Sequence, residues 1–485
     1  MGERYLYPRF EVLCDENRCT HCKLCQQQCT QGVHQFDSKN SLHRIDESLC
    51  VNCQRCAAFC PTQALKIMPA RCRFRDNAIW TDETLRRIHI QADTGGILLG
   101  SCGNPGKQKD YWDDLTIQAA QVTATPIDPL REPPETGTAL GSSISQFKLK
   151  TPIVFAAMSF GSLSLRSQEC LARAASELGI LWNSGEGGLH PKLLEYSKSA
   201  IVQVASGRFG VTKDILNRAA AIEIKLGQGG KPGIGGHLPG EKVTEAVAAL
   251  RGIPVGTDAI SPALHHDIHS PEDLRQLIRA LRAVTDSRKP IIVKVAAVHN
   301  IAEIACVVAR SGADILCIDG CHGGTGAAPV EIRDNVGIPL ALALATADTK
   351  LRQDGLRENI SILAGGSIRS SADMVKVLTL GADACCIGTA ALVALGCRLC
   401  RACHSSRCAW GIATQDPILE ARLDVAAGSR RLVNLVKAWD HGLKEMLGGM
   451  GFGNVAALTG NRDVLRGIGL QKEELEILGV KHAGQ

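Results

Sequence analysis

A chain of 485 residues, 45% hydrophobic and 21% charged, has room for a large core and two or three domains, and a β/α barrel alone takes about 250 residues. Aromatic residues are scarce at 4%, which argues against a stacking platform for single-stranded nucleic acid; a net charge of +5, spread along the chain, favours an anionic substrate or an acidic redox protein over DNA. The 21 cysteines, ten of them before position 73 and mostly in C-x2-C spacing, indicate metal clusters in a reducing cytoplasm rather than a disulfide scaffold. The amino terminus has no apolar leader segment, and the longest uncharged apolar stretch, Ala384 to Cys397, is too short to cross a bilayer. A cytoplasmic protein with no membrane span is expected.

Residues 1–70 carry one motif twice: Cys19-x2-Cys22-x2-Cys25-x3-Cys29 and Cys50-x2-Cys53-x2-Cys56-x3-Cys60-Pro61. This is the spacing of bacterial two-cluster ferredoxins, in which the fourth cysteine of each run crosses to the other cluster. Cys19, Cys22, Cys25 and Cys60 are then expected to hold one [4Fe–4S] centre, and Cys50, Cys53, Cys56 and Cys29 the other. Thr30 stands where the first run would carry proline, a change that removes no ligand. Cys14 and Cys72 lie outside the register and read as plain cysteines. Phe36 to Ile45 reads as a short hairpin, and Ala64-Leu-Lys-Ile repeats that pattern, so an α+β ferredoxin-like domain is expected. Residues 71–150 read as an irregular connector packed on the next domain, with a short helix at Thr84 to Ile90 and no evident chemistry.

From Pro152 short apolar runs alternate with amphipathic stretches, the pattern of βα units. Eight strands are predicted: Ile153–Ala157, Ile180–Asn183, Ile201–Val204, Ile222–Lys225, Ile291–Val295, Ile315–Ile318, Ser361–Ala364 and Ala384–Ile387. Helices such as Pro271–Val284 and Ile301–Ser311 follow several of them. Residues 151–440 are therefore expected to form a (β/α)8 TIM barrel, an α/β fold with its site at the strand C-termini, and 441–485 a helical tail. Glycine turns after the last two strands, Gly365-Gly366-Ser367 and Gly388-Thr389, form the usual phosphate pocket of such barrels and point to FMN. Lys294, inside the fifth strand, carries a charge that needs a partner or a ligand. The glycine-rich excursion from Lys225 to Gly240 lets backbone approach a ligand, and Gln228, Lys231 and Arg251 supply the donors a dicarboxylate needs. His265 and His266 have no third metal ligand at a convincing spacing.

Four cysteines then fall within twelve residues at Cys397, Cys400, Cys403 and Cys408, beside Arg398, Arg401 and Arg407. Crowded thiolates with arginines to offset their charge suit a further iron–sulfur cluster.

These residues together resemble the FMN-binding synthase region of glutamate synthase, in the short archaeal-type form with a ferredoxin domain in front. The matching motifs are Met158-Ser-Phe-Gly-Ser-Leu-Ser, Ser184-Gly-Glu186-Gly-Gly, Gln203-Val-Ala-Ser-Gly-Arg-Phe-Gly210 and the Gln228 to Pro239 loop. They continue through His265-His-Asp-Ile, Gly323-Gly-Thr-Gly-Ala, Gly388-Thr-Ala-Ala-Leu and Gly411-Ile-Ala-Thr-Gln415.

The resemblance implies FMN in the barrel, reduction of 2-iminoglutarate to L-glutamate, and a [3Fe–4S] cluster on Cys397, Cys403 and Cys408. It implies 2-oxoglutarate held by Gln228, Lys231 and Arg251, catalytic roles for Glu186, Lys225, Lys231 and Lys294, and flavin contacts from Met158, Ser159, Gly161, Gln203, Lys294, Gly365, Gly366, Ser367, Gly388 and Thr389. Three departures stand out. Cys400 offers a fourth thiolate that could complete a [4Fe–4S] centre. Ala409 replaces the proline that usually follows the last cysteine. Ile234 and His237 stand where the long bacterial enzymes carry Glu and Gln.

Glutaminase domains of this family use an N-terminal cysteine, whereas the first cysteine here is Cys14. A separate glutaminase subunit, or ammonia from solution, is therefore expected. So is an electron donor, either an NAD(P)H-oxidising flavoprotein or free ferredoxin, in a hetero-oligomer. Two alternative readings are a related N-methylglutamate synthase and a non-catalytic electron-transfer subunit.

Overall fold

The computed structural model describes residues 7–37, 43–71, 76–105, 108–122, 124–141 and 145–485; Cys72 lies outside them. Eight parallel strands close into a barrel: β1 (Ile153–Phe155), β2 (Leu181–Asn183), β3 (Ala200–Ala205), β4 (Ala221–Lys225), β5 (Ile291–Ala296), β6 (Ile315–Asp319), β7 (Ser361–Gly365) and β8 (Ala384–Ile387), with β8 paired to β1. Their aliphatic runs are buried on both faces, as parallel strands sheathed by helices must be. The eight predicted strands are the eight observed, with ends moved by one or two residues.

The helices between them begin where side chains satisfy their free N–H groups. Ser164 accepts from Ser167 N ahead of Leu165–Leu178, and Ser270 accepts from Asp273 N ahead of Pro271–Val284, which also has proline in its first turn. The long helix Val425–Met450, capped by Asp424, lies across Leu165–Leu178. It runs straight through position 440, so no separate helical tail begins there. Beyond it, Leu465–Gly467 pairs with Leu115–Ile117 of the connector and with Lys481–His482.

The connector has more structure than its punctuation suggests. Its helix spans Asp82–Thr94, capped by Thr81 and closed by Gly95, and is tied to the barrel by Arg87–Asp334 at 2.7 Å. In the cysteine-rich region the strand His34–Phe36 pairs with His43–Ile45, as the predicted hairpin requires. Leu65–Pro69, expected to repeat that hairpin, pairs instead with Phe10–Cys14, a strand that the sequence reading did not pick out.

Candidate active site

The parallel register sets Lys225 beside Lys294 on β4 and β5, and Gln203 beside Glu223 on β3 and β4. Two lysines side by side repel, so each needs its own acid. Lys225 Nζ donates to Glu186 Oε2 at 3.1 Å, and Lys294 Nζ lies 3.1 Å from Asp319 Oδ2 at the end of β6. Burial pushes the Lys294 ammonium toward neutrality, but Asp319 and Glu223 outweigh it and raise its pKa. Glu223 is held between Asn183 Nδ2, at 2.9 Å, and Gln203 Nε2. Gln203 thus faces an acid inside the barrel.

Above the strands, Glu186 is the centre of a cationic ring. Burial would raise its carboxyl, yet Lys225, Lys231 and Arg251 together hold it down at about 2. Lys231 is buried and, among the described residues, its Nζ donates only to Ala327 O, at 3.3 Å; burial and the neighbouring Lys225 push it down to about 8. Arg251 donates to Phe160 O at 3.0 Å and to Ser159 Oγ at 3.4 Å, while its buried Nε has no partner among the described residues.

Two glycines of the excursion explain its composition. A Cβ on Gly236 would sit 2.2 Å from Glu186 Oε1, and one on Gly229 would sit 1.9 Å from Gly320 O. Gln228 donates to Gly324 O at 3.1 Å. Gly161, with φ +100°, packs its Cα side against Leu238 and Arg251, so the loop after β1 closes one wall of the same mouth. Met158 O accepts from Gln168 Nε2 at 2.7 Å, which fixes that loop. His237 pairs with Asp258 at 2.7 Å, and His265 Nε2 lies 2.7 Å from Lys225 O. The His265 ring is thereby committed to the β4 backbone.

The predicted phosphate cradle has a testable fit. Among the described residues, the main-chain N–H groups of Gly366, Ser367, Gly388 and Thr389 donate to no protein acceptor. Four free donors on adjacent turns after β7 and β8 suit a phosphate. Gly324, after β6, approaches Thr389 Oγ1, so a third loop meets them.

The cysteines gather into three groups. Cys19, Cys22, Cys25 and Cys60 line one cavity together with Cys14, whose sulfur lies within 4.8 Å of that of Cys19. Cys29 stands among Cys50, Cys53 and Cys56. Cys397, Cys400, Cys403 and Cys408 form the third group, and Cys53 of the second is electrostatically coupled to Cys408.

That approach is built by side chains from both regions. Trp410 Nε1 donates to Cys53 O at 2.9 Å, Thr30 Oγ1 donates to Arg407 O at 2.8 Å, and Arg422 donates to Gln27 O and Gln28 O. Arg55 and Arg398 lie over the Trp410 ring.

Three residues were missed in the sequence. Asp319 carries the partner that Lys294 required; an acid at a barrel-strand end was the available signal. Cys102, in the connector read as devoid of chemistry, lies beside Cys403, and neighbouring Ser101 Oγ accepts from His404 N at 3.0 Å. Lys242 is fully buried, with Nζ donating to Ser162 O at 2.7 Å and Cys403 O at 3.1 Å; it bridges the loop after β1 and the third cysteine group.

Comparison with known proteins completes the picture. The family described as conserved region in glutamate synthase matches residues 107–453, and the 4Fe–4S dicluster domain matches residues 18–64. An archaeal glutamate synthase [NADPH] of Archaeoglobus fulgidus is 52% identical, over 99% of this chain and 98% of that protein. An archaeal-type glutamate synthase [NADPH] of Thermotoga maritima is 50% identical over the whole of both. The glutamate synthase [NADPH] large chain of Bacillus subtilis is 42% identical over 65% of this chain but only 21% of its own length. Among solved structures, a flavocytochrome b2 variant with benzoylformate shares the fold, with a TM-score of 0.50 at 14% identity over 78% of this chain and 84% of that one.

Proposed function

Because this chain belongs to the glutamate synthase family, we propose that it is the synthase component, an FMN- and iron–sulfur-dependent oxidoreductase that forms L-glutamate from 2-oxoglutarate and ammonia. The observation that carries this reading is the ionised Glu186 ringed by Lys225, Lys231 and Arg251 at the mouth of the barrel.

In this reading Arg251, Lys231 and Gln228 hold the two carboxylates of 2-oxoglutarate, and their positive charge draws the dianion in. Ammonia adding to the keto carbon gives a carbinolamine, whose hydroxyl must leave as water. Lys231, poised near neutral pH, lends the proton for that step. The Glu186 carboxylate lies where it stabilises the resulting iminium cation. Bound FMN would supply the hydride to C2 of that iminium. Lys294, kept charged by Asp319, sets a fixed cation on the barrel floor beneath. The free N–H groups of Gly366, Ser367, Gly388 and Thr389 would hold the flavin phosphate, and the first two cysteine groups would hold [4Fe–4S] centres.

With clusters bound, the first two cysteine groups would supply the entry for electrons, and Trp410 ties the second group to the third. A flavoprotein or ferredoxin supplies them, and ammonia comes from a separate glutaminase or from solution. Among the described residues no helix is long and apolar enough to cross a membrane.

The test is product analysis of the anaerobic, dithionite-reduced chain given 2-oxoglutarate with either ammonium or methylamine. Glutamate as the main product supports the reading. N-methylglutamate as the main product, or neither product from flavin-loaded protein, overturns it.

A further inference from the structure

The loop at Cys397 repeats a backbone feature of the two ferredoxin motifs at the same two places. In the run from Cys19 to Cys25, the residues on either side of the middle cysteine, His21 and Lys23, have φ of 52° and 61°. In the run from Cys50 to Cys56, Asn52 and Gln54 have 54° and 61°; in the run from Cys397 to Cys403, Leu399 and Arg401 have 52° and 58°. Side chains such as Leu, Lys, Gln and Arg seldom enter this left-handed region. Two such residues flanking one cysteine, at the same places in three separate loops, mark one built conformation.

The amide environment of the sulfurs repeats as well. The amides of Asn52 and Arg55 each favour the thiolate of the cysteine two residues before, Cys50 and Cys53. In the third loop Leu399 N donates to Cys397 Sγ at 3.4 Å, and the Ala402 amide favours the Cys400 thiolate in the same way. This turn is what aims three thiolates at one cube while amides stabilise the sulfurs. A centre using only Cys397, Cys403 and Cys408 would leave Cys400 idle, along with the two costly residues around it.

We propose that Cys400 is a ligand and that the third centre is a [4Fe–4S] cluster held by Cys397, Cys400, Cys403 and Cys408; this rests on the reading that the loop carries an iron–sulfur centre at all. Cys102 is the competing fourth thiol. It stands outside the repeated turn, however, in the connector beside Cys403.

The experiment uses the full chain, purified and reconstituted without oxygen, with iron analysis, Mössbauer and EPR spectra of the oxidised state. The native chain is expected to contain one iron more than a three-iron centre allows and to lack the half-integer-spin EPR signal of an oxidised three-iron cluster. C400A is expected to lose one iron and gain that signal, while C102A keeps the native pattern. A stoichiometric three-iron signal in the native chain overturns the proposal, and so does its appearance in C102A rather than C400A. If C400A does not assemble the centre, the native spectrum still decides. Failure of the underlying reading looks different: the native chain would then show only the two ferredoxin-type centres, and C403A would remove none of its iron.

Discussion

Lys294, inside β5, and Asp319, at the end of β6, pair with little solvent access, so deleting the acid alone strands a buried ammonium. D319A is expected to destabilise the protein by about 3–5 kcal/mol, as broken buried pairs do. Adding K294M should restore most of the loss, because an apolar side chain of similar length needs no partner. Thermal midpoints of native, single and double variants check this; equal losses in D319A and the double variant would contradict it.

Lys231 gives a pH prediction whose sign follows from its depressed pKa. Charged below about 8, it loses its proton as pH rises through that value, and with it both a carboxylate contact and the proton for dehydration. The kcat/KM for 2-oxoglutarate should fall about tenfold per pH unit above that point. K231R, whose guanidinium stays charged but cannot lend that proton, should lower kcat/KM at every pH and remove the alkaline limb. The sequence pointed to both lysines because charged residues in apolar or glycine-rich surroundings are conspicuous. It did not point to Asp319, since an acid before glycine at a strand end reads equally well as a turn.

At the scale of elements, the barrel strands were legible because each is a short aliphatic run bounded by polar residues, and burial on both faces leaves little freedom in where it ends. Pairings between distant segments were not. Leu65–Pro69 could have paired locally, but its partner Phe10–Cys14 lies at the other end of the same region. Cys102 carries no spacing signal at all, and only the folded connector brings it to Cys403. Trp410 is a similar case, one aromatic in a cysteine loop until its indole N–H is seen on Cys53 O. W410F keeps the ring but removes that bond, worth about 1 kcal/mol of docking. Reduction of the flavin through the clusters should slow, while glutamate release from pre-reduced protein stays unchanged. Rapid-mixing traces of the two half-reactions separate them, and equal slowing of both would place Trp410 in the substrate site instead.

At the scale of the whole molecule, hydrogen bonds join the second cysteine group, the third and the barrel mouth in sequence. The second group abuts the third through Trp410, Arg55 and Arg398, and Lys242 ties the third group to the loop after β1 that walls the Glu186 ring. The central claim is that electrons stored along this series leave through the barrel into an imine of 2-oxoglutarate. Its most direct measurement is a single turnover without oxygen, in which the fully reduced, flavin-loaded chain is mixed with 2-oxoglutarate and ammonium while flavin and cluster absorbance are followed and glutamate is quantified. The account predicts that flavin and clusters reoxidise in step with glutamate formation, and that neither happens when 2-oxoglutarate or ammonium is omitted. Reoxidation without glutamate, or flavin that stays reduced with both substrates present, would contradict it.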